Sequence, residues 1–229
     1  MKLDVDTKIA HHHLMKKKIA LITGASRGLG AALSVELCVA YHIIAVARTT
    51  GALEELDDKI KSIGGKATLA PMDICNQDSM AELCKSIFER WGKIDLWAHT
   101  AIYAAPLAPV YSLDSNDWEN SIKTNVISTG VLIPFLTPLM TKRSIALFFR
   151  DDKLGQKFFS AYGTSKLAQI ALAENWALET PKFGPKVHIL APNPMKTGTR
   201  AKFFPGESKN LLKEPKDEAK RLLNGIKIT

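Results

Sequence analysis

Cysteine is scarce in this chain, and the few residues present are not arranged to act together. Cys38, Cys75 and Cys84 are odd in number and lack any Cys-x-x-Cys or metal-ligand spacing. That excludes a disulfide framework or a zinc site and leaves reduced, structural thiols. Long apolar runs are missing too. The longest are strand-sized, so no membrane span is predicted. The segment after Lys16-Lys17-Lys18 leads into a glycine-rich turn and not a cleavage site, which argues against a secretory signal and for a cytoplasmic protein. The net charge of +8 lacks the clustering and aromatic interleaving of a nucleic-acid surface. His11-His12-His13 are consecutive and cannot converge on one metal from an ordered element, so no metal site is expected. They belong to a polar N-terminal arm, residues 1–17. No repeat or linker divides the rest.

What is there alternates. The chain has 229 residues, 46% of them apolar, enough for one α/β domain over 18–229. Strand-like runs at Lys18–Thr23, His42–Ala47, Ala67–Ala70, Ile94–Ala98, Ile145–Phe149 and Val187–Ala191 are separated by helix-like segments. Those segments are Leu29–Ala40, Gly51–Ile63, Asp78–Trp91, Asp117–Met140 (with Pro134 and Pro138 bending its end) and Tyr162–Leu178. Continuous apolar strands joined by helices predict a doubly wound parallel sheet of the Rossmann type, with ligands at the carboxyl ends of its strands. Residues 195–215 show little periodicity and read as a mobile loop over the site. Pro215 then opens a helix to about Leu223.

Thr23-Gly24-Ala25-Ser26-Arg27-Gly28-Leu29-Gly30 stands between the first strand and the first helix. Glycines let backbone approach a ligand, and the N–H groups of a helix N-terminus favour an anion. The alternative is a tight turn without a ligand, which would not need three glycines. After the second strand comes Arg48, where an acid would bind an unmodified ribose and a base a 2′-phosphate. With Arg27 in the glycine loop, this favours NADP(H), NAD(H) remaining the alternative. Glu54 and Glu55 come too late to read the ribose. Tyr162 and Lys166 are four apart and share a helix face, so an ammonium beside the phenol should lower its pKa and make it a proton donor and acceptor.

Together these residues resemble the short-chain dehydrogenase/reductase family, over about residues 18 to 200. Thr23–Gly30 is similar to its cofactor loop, covering Gly24, Ser26, Arg27, Gly28, Leu29 and Gly30. Asp73-Ile74 resembles its adenine-contacting segment, and Asn125 its active-site asparagine. Tyr162-Gly163-Thr164-Ser165-Lys166 resembles the catalytic Tyr-x-x-x-Lys, and Pro192 to Thr197 the segment beside the nicotinamide. The resemblance implies that Tyr162 exchanges a proton with the substrate oxygen, that Lys166 binds the nicotinamide ribose and tunes Tyr162, and that Asn125 holds a relay water. It implies an oxidoreductase that interconverts a small carbonyl and a secondary alcohol.

Three departures qualify it. The family serine, about thirteen residues before the tyrosine, is replaced by Phe149 or, with a shift of one, Arg150. Losing such a donor costs about 100- to 1000-fold in turnover unless Arg150 or Ser160 substitutes. The usual Asn-Asn-Ala-Gly is His99-Thr100-Ala101-Ile102, with His99 read as a hydrogen-bonding loop residue before an added acid/base. The sequence stops near where a seventh strand would begin, which removes support for the usual tetramer and leaves a homodimer through Asp117–Met140 and Tyr162–Leu178. The rival reading is a catalytically impaired NADP(H)-binding sensor or interaction protein. A basic nucleic-acid-binding domain has only net charge behind it.

Overall fold

The computed structural model describes residues 17–226 and 228. Apart from Lys17, the N-terminal arm with its three histidines lies outside them. Six strands form one sheet: β1 (Lys18–Thr23), β2 (Tyr41–Ala47), β3 (Lys66–Pro71), β4 (Ile94–His99), β5 (Met140–Phe149) and β6 (Lys186–Leu190). Their order is β3-β2-β1-β4-β5-β6, every neighbouring pair is parallel, and β6 is an edge among the described residues. The order reverses between β1 and β4, the switch point where a crevice opens above the strand ends.

The helices are α1 (Gly28–Leu37), α2 (Thr50–Ser62), α3 (Gln77–Trp91), α4 (Ser115–Ser121), α5 (Ser128–Leu136), α6 (Ser160–Glu179), α7 (Gly198–Phe203) and α8 (Pro215–Gly225). Two cores result, one on each face of the sheet. Ile22, Leu33, Ile43 and Leu222 pack on one face, and Leu21, Ile44, Trp97 and Phe148 on the other. Successive residues of β1 and β2 enter opposite cores, which is why these strands read as unbroken apolar runs. Local chemistry fixes the ends of α3. The Asn76 side chain accepts from the Ser79 N–H at 3.0 Å, and Gly92 closes the helix at φ 78°.

Three expectations change. The helix expected over Asp117–Met140 is α4 and α5 joined by a π-helical turn, Ile122–Ile127, and a 3₁₀ turn at Thr137–Leu139 ends it. β5 therefore begins at Met140, five residues earlier than its apolar run, because Met140 already pairs with Ile94 ahead of a register shift. The stretch Ser115–Leu139 is long and apolar enough to cross a membrane, contrary to the expectation of no such segment. It packs on the sheet, however, with Leu132 and Leu136 in the core, and carries buried Ser121, Asn125 and Thr129. Residues 195–215 are not aperiodic throughout. Thr197 caps α7 by accepting from the Arg200 N–H at 3.2 Å, and the Lys196 N–H donates to the Lys213 carbonyl at 2.9 Å, closing the base of the segment.

Candidate active site

A cleft of about 860 Å³ lies above the carboxyl ends of the strands. Its lining includes Gly24, Ser26, Arg27, Gly28, Leu29, Gly30, Arg48, Asp73, Ile74, Tyr162, Lys166, Pro192 and Thr197, which are all the predicted site residues except Asn125.

The three glycines of the first turn do different work. A Cβ on Gly24 would strike the Ala101 backbone, and Gly24 also stands at φ 81°. A Cβ on Gly30 would overlap the Gly24 carbonyl and the Thr100 hydroxyl. These two glycines let the turn seat against the β4 loop, which the Thr100 hydroxyl ties down by donating to the Thr23 carbonyl at 2.7 Å. Gly28, at φ 56°, also lines the cleft, and a Cβ there would meet the Thr197 methyl and no backbone. No side chain caps the N-terminus of α1 and no acid sits in its first turn, so its N–H groups remain for an anion. Arg27 and Arg48 are exposed and enter no ion pair among the described residues. Asp73 Oδ1 accepts from the Cys75 N–H at 2.9 Å, which fixes the turn that presents Asp73 and Ile74.

At the other end, Tyr162 and Lys166 share one face of α6, as the spacing predicts, but they do not form the expected couple. The Tyr162 hydroxyl donates to Asp151 Oδ2 at 3.2 Å, and the Lys166 ammonium donates to the Phe149 carbonyl at 2.8 Å and to Gln169 Oε1. Burial, with the Asp151 carboxylate added, pushes the phenol well above its ordinary value. Burial brings Lys166 down to about 8. The expected lowering of the Tyr162 pKa is thus reversed, chiefly because the phenol is buried, and further because an anion faces it and the cation is turned elsewhere.

Asn125 sits in the π-helical turn, buried and outside the cleft. Its Oδ1 accepts from the Tyr103 N–H at 2.8 Å, while Nδ2 donates to the Tyr103 carbonyl at 3.0 Å and to the Ser165 hydroxyl at 2.9 Å. Its carbonyl accepts from Thr129 Oγ1 at 2.8 Å and from Gln169 Nε2 at 3.1 Å. His99, the last residue of β4, is buried between the Thr23 and Thr129 hydroxyls, at 2.7 and 3.0 Å. Burial, with Lys166 nearby, brings its pKa to about 3, so it is a neutral, satisfied residue, as expected.

Neither substitute considered for the missing serine faces the tyrosine. Arg150 reaches Glu174 at 3.8 Å, and the Ser160 hydroxyl donates to the Ala108 carbonyl at 2.9 Å. Phe149 is buried in the core at the end of β5. Sequence reading missed Asp151 and Gln169. Asp151 lies two residues past the serine position and was passed over in a search for a hydroxyl. Gln169 lies three residues after Lys166, one helical turn along, and that spacing was the available signal. The wall opposite is α7, whose Phe203 ring packs 4.9 Å from the Tyr162 ring and 5.6 Å from that of Phe159.

Residues 18–208 match the short chain dehydrogenase family, and the chain belongs to it. A fatty acyl-CoA reductase from Acinetobacter baylyi is 30% identical over 174 residues, covering 73% of this chain but 59% of that protein's length. A short chain dehydrogenase structure from Pseudomonas syringae superimposes with a TM-score of 0.83 at 28% identity, over 92% of this chain and 89% of that one. A metagenomic short-chain oxidoreductase solved with NADP shares the fold, with a TM-score of 0.78 and 21% identity over 93% of this chain and 91% of its own.

Proposed function

We propose that this chain is an NADP(H)-dependent oxidoreductase that interconverts a small carbonyl compound and a secondary alcohol. One observation carries the proposal: the Tyr162–Lys166 face of α6 lines the same cleft as Gly28 and the uncapped N-terminus of α1. The residues present fit a dinucleotide, since the turn is seated by glycines and two exposed guanidinium groups, without an ion pair among the described residues, line the cleft beside it. The bound dinucleotide would supply or accept a hydride.

Gly28 and the first N–H groups of α1 would bind the pyrophosphate, and Asp73 and Ile74 would line the adenine. Pro192 and Thr197 would flank the nicotinamide. Arg48 and Arg27 would favour NADP(H) over NAD(H). Tyr162 would hold the proton exchanged with the substrate oxygen, with Lys166 behind it. Segment 195–215, which brings Phe203 onto Tyr162, would serve as the substrate loop of a single domain over 18–229. Exposed Trp118, Ile127 and Leu167 favour a homodimer through the α4–α5 and α6 face. We place the protein in the cytoplasm, without a nucleic-acid or membrane partner.

A second reading, an NADP(H) sensor with little turnover, is favoured by Phe149 together with the altered loop after β4. Oxidation of NADPH against a panel of ketones and aldehydes, wild type beside Tyr162→Phe, decides between them. Turnover lost in the variant supports the enzyme. Tight NADPH binding without turnover on any substrate supports the sensor.

A further inference from the structure

We propose that the proton handled by Tyr162 is exchanged with Asp151 and does not run through Lys166 and Asn125; this rests on the oxidoreductase reading above. The Tyr162 hydroxyl already donates to Asp151 Oδ2 at 3.2 Å, and Asp151 lines the cleft, half-buried, where water can reach it. The other carboxylate oxygen accepts from the Lys153 N–H at 2.8 Å, which holds the group in this orientation.

The opposite route is blocked by Gln169. Lys166 is buried and spends its N–H groups on the Phe149 carbonyl and on Gln169 Oε1. The Gln169 amide then donates to the Asn125 carbonyl and to Thr129 Oγ1, both at 3.1 Å. A primary amide fills the gap between lysine and carbonyl that a relay water would need. Water passes a proton on by accepting one and releasing another, whereas an amide N–H keeps its proton.

The neighbouring charges leave Asp151 to act on Tyr162. Arg150 faces Glu174, Asp152 faces Lys153, and Arg200 is held by two hydrogen bonds, each 2.6 Å, to Glu207. Lys202 donates to the Ala104 carbonyl, and His99 is neutral between its two threonines. Lys166 in the buried part of the site and Arg200 on its rim both sense the Asp151 carboxylate and partly offset its charge.

In alcohol oxidation the substrate O–H bond breaks and its proton moves to the Tyr162 oxygen. The original Tyr162 proton moves to Asp151 Oδ2, while a bound oxidised dinucleotide would accept the hydride, the electron pair of the substrate C–H bond. Tyr162 stays a phenol throughout, and Asp151 returns its proton to water. Carbonyl reduction is the reverse. This disposes of the need for a lowered phenol pKa, which the burial of Tyr162 opposes.

Two measurements on the full chain test the assignment. Tyrosinate absorbance, with Tyr162 isolated by difference against Tyr162→Phe, reads the phenol without turnover or cofactor. Asp151→Asn is expected to move the Tyr162 ionisation to lower pH, and Asp151→Glu to leave it high. The pH profile of alcohol oxidation is the second. Asp151→Asn should lose at least about tenfold at neutral pH, while Asp151→Glu keeps the wild-type profile. A wild type that oxidises alcohols beside an Asp151→Asn variant with unchanged titration and profile overturns the role of Asp151 alone. A wild type that oxidises none overturns the oxidoreductase reading, and this proposal with it.

Discussion

The two ends of the cleft were built to different tolerances. Around β1 to β3, backbone does the work: glycines without room for a Cβ, an uncapped helix end and an aspartate turn. Around β4 to β6, side chains do it. Phe149 closes β5 in the core, His99 is held between two threonine hydroxyls, and Gln169 fills a gap between Lys166 and Asn125. Backbone approach admits almost no substitution, because an added Cβ meets main chain that cannot swing away. A hydrogen-bond network can be rebuilt from other donors and acceptors provided each buried group keeps a partner. The end proposed for the cofactor is therefore constrained by its backbone, while the end proposed for the reaction is held by exchangeable side chains.

The largest expected effect falls on the reacting end. Tyr162→Phe should lower turnover by about 10²- to 10⁴-fold, the usual worth of a positioned proton donor. NADPH affinity, read by fluorescence titration, should change little. Equal losses of affinity and turnover would break the comparison, since Tyr162 would then belong to binding as much as to chemistry. At the proposed cofactor end, Gly30→Ala should cost about 1–3 kcal/mol of stability, the scale of an overpacked site. Gly198→Ala, where a Cβ meets open space, should cost little, and urea unfolding of the two variants gives the contrast.

This difference also sets what could be read from the sequence. Lys18–Thr23 forms β1 with the predicted bounds, because the run is apolar on both faces and ends at a glycine turn that only one geometry satisfies. Tyr162 and Lys166 were legible because helical spacing places them on one face whatever surrounds them. Their partners were not. Asp151 reaches Tyr162 through an irregular turn between β5 and α6, which no periodicity describes. Six-residue α7 is too short for a pattern, and it is held by the Thr197 cap, the Arg200–Glu207 pair and the packing of Phe203 on Phe159. The resemblance gives Asn125 a relay water, and only the fold brings Gln169 to its carbonyl.

A smaller effect tests the cofactor end by charge. Arg48→Ala should weaken NADPH by about 10- to 100-fold, the worth of one charge-assisted hydrogen bond to the 2′-phosphate, and NADH hardly at all. Equal losses for both dinucleotides would place Arg48 away from the 2′ position and remove the argument for NADP(H).

The smallest effect comes from His99, where the two ends of the cleft meet at the end of β4. Its folded-state pKa of about 3 lies below the ordinary 6.5, so at intermediate pH the unfolded chain binds a proton that the folded one refuses. Stability is therefore complete above about pH 6.5 and falls as the pH drops from there toward 3. By pH 5 the loss from this residue should be about 2 kcal/mol, from 1.36 kcal/mol per pH unit over the interval below 6.5. His99→Asn retains a hydrogen-bonding group between Thr23 and Thr129 but does not titrate. Urea unfolding of wild type and variant at pH 7 and pH 5 should show the gap between them shifting by that amount in favour of the variant at pH 5. A gap that stays constant would mean that His99 is protonated in the fold and belongs to the proton chemistry of the reacting end, not to the frame that carries it.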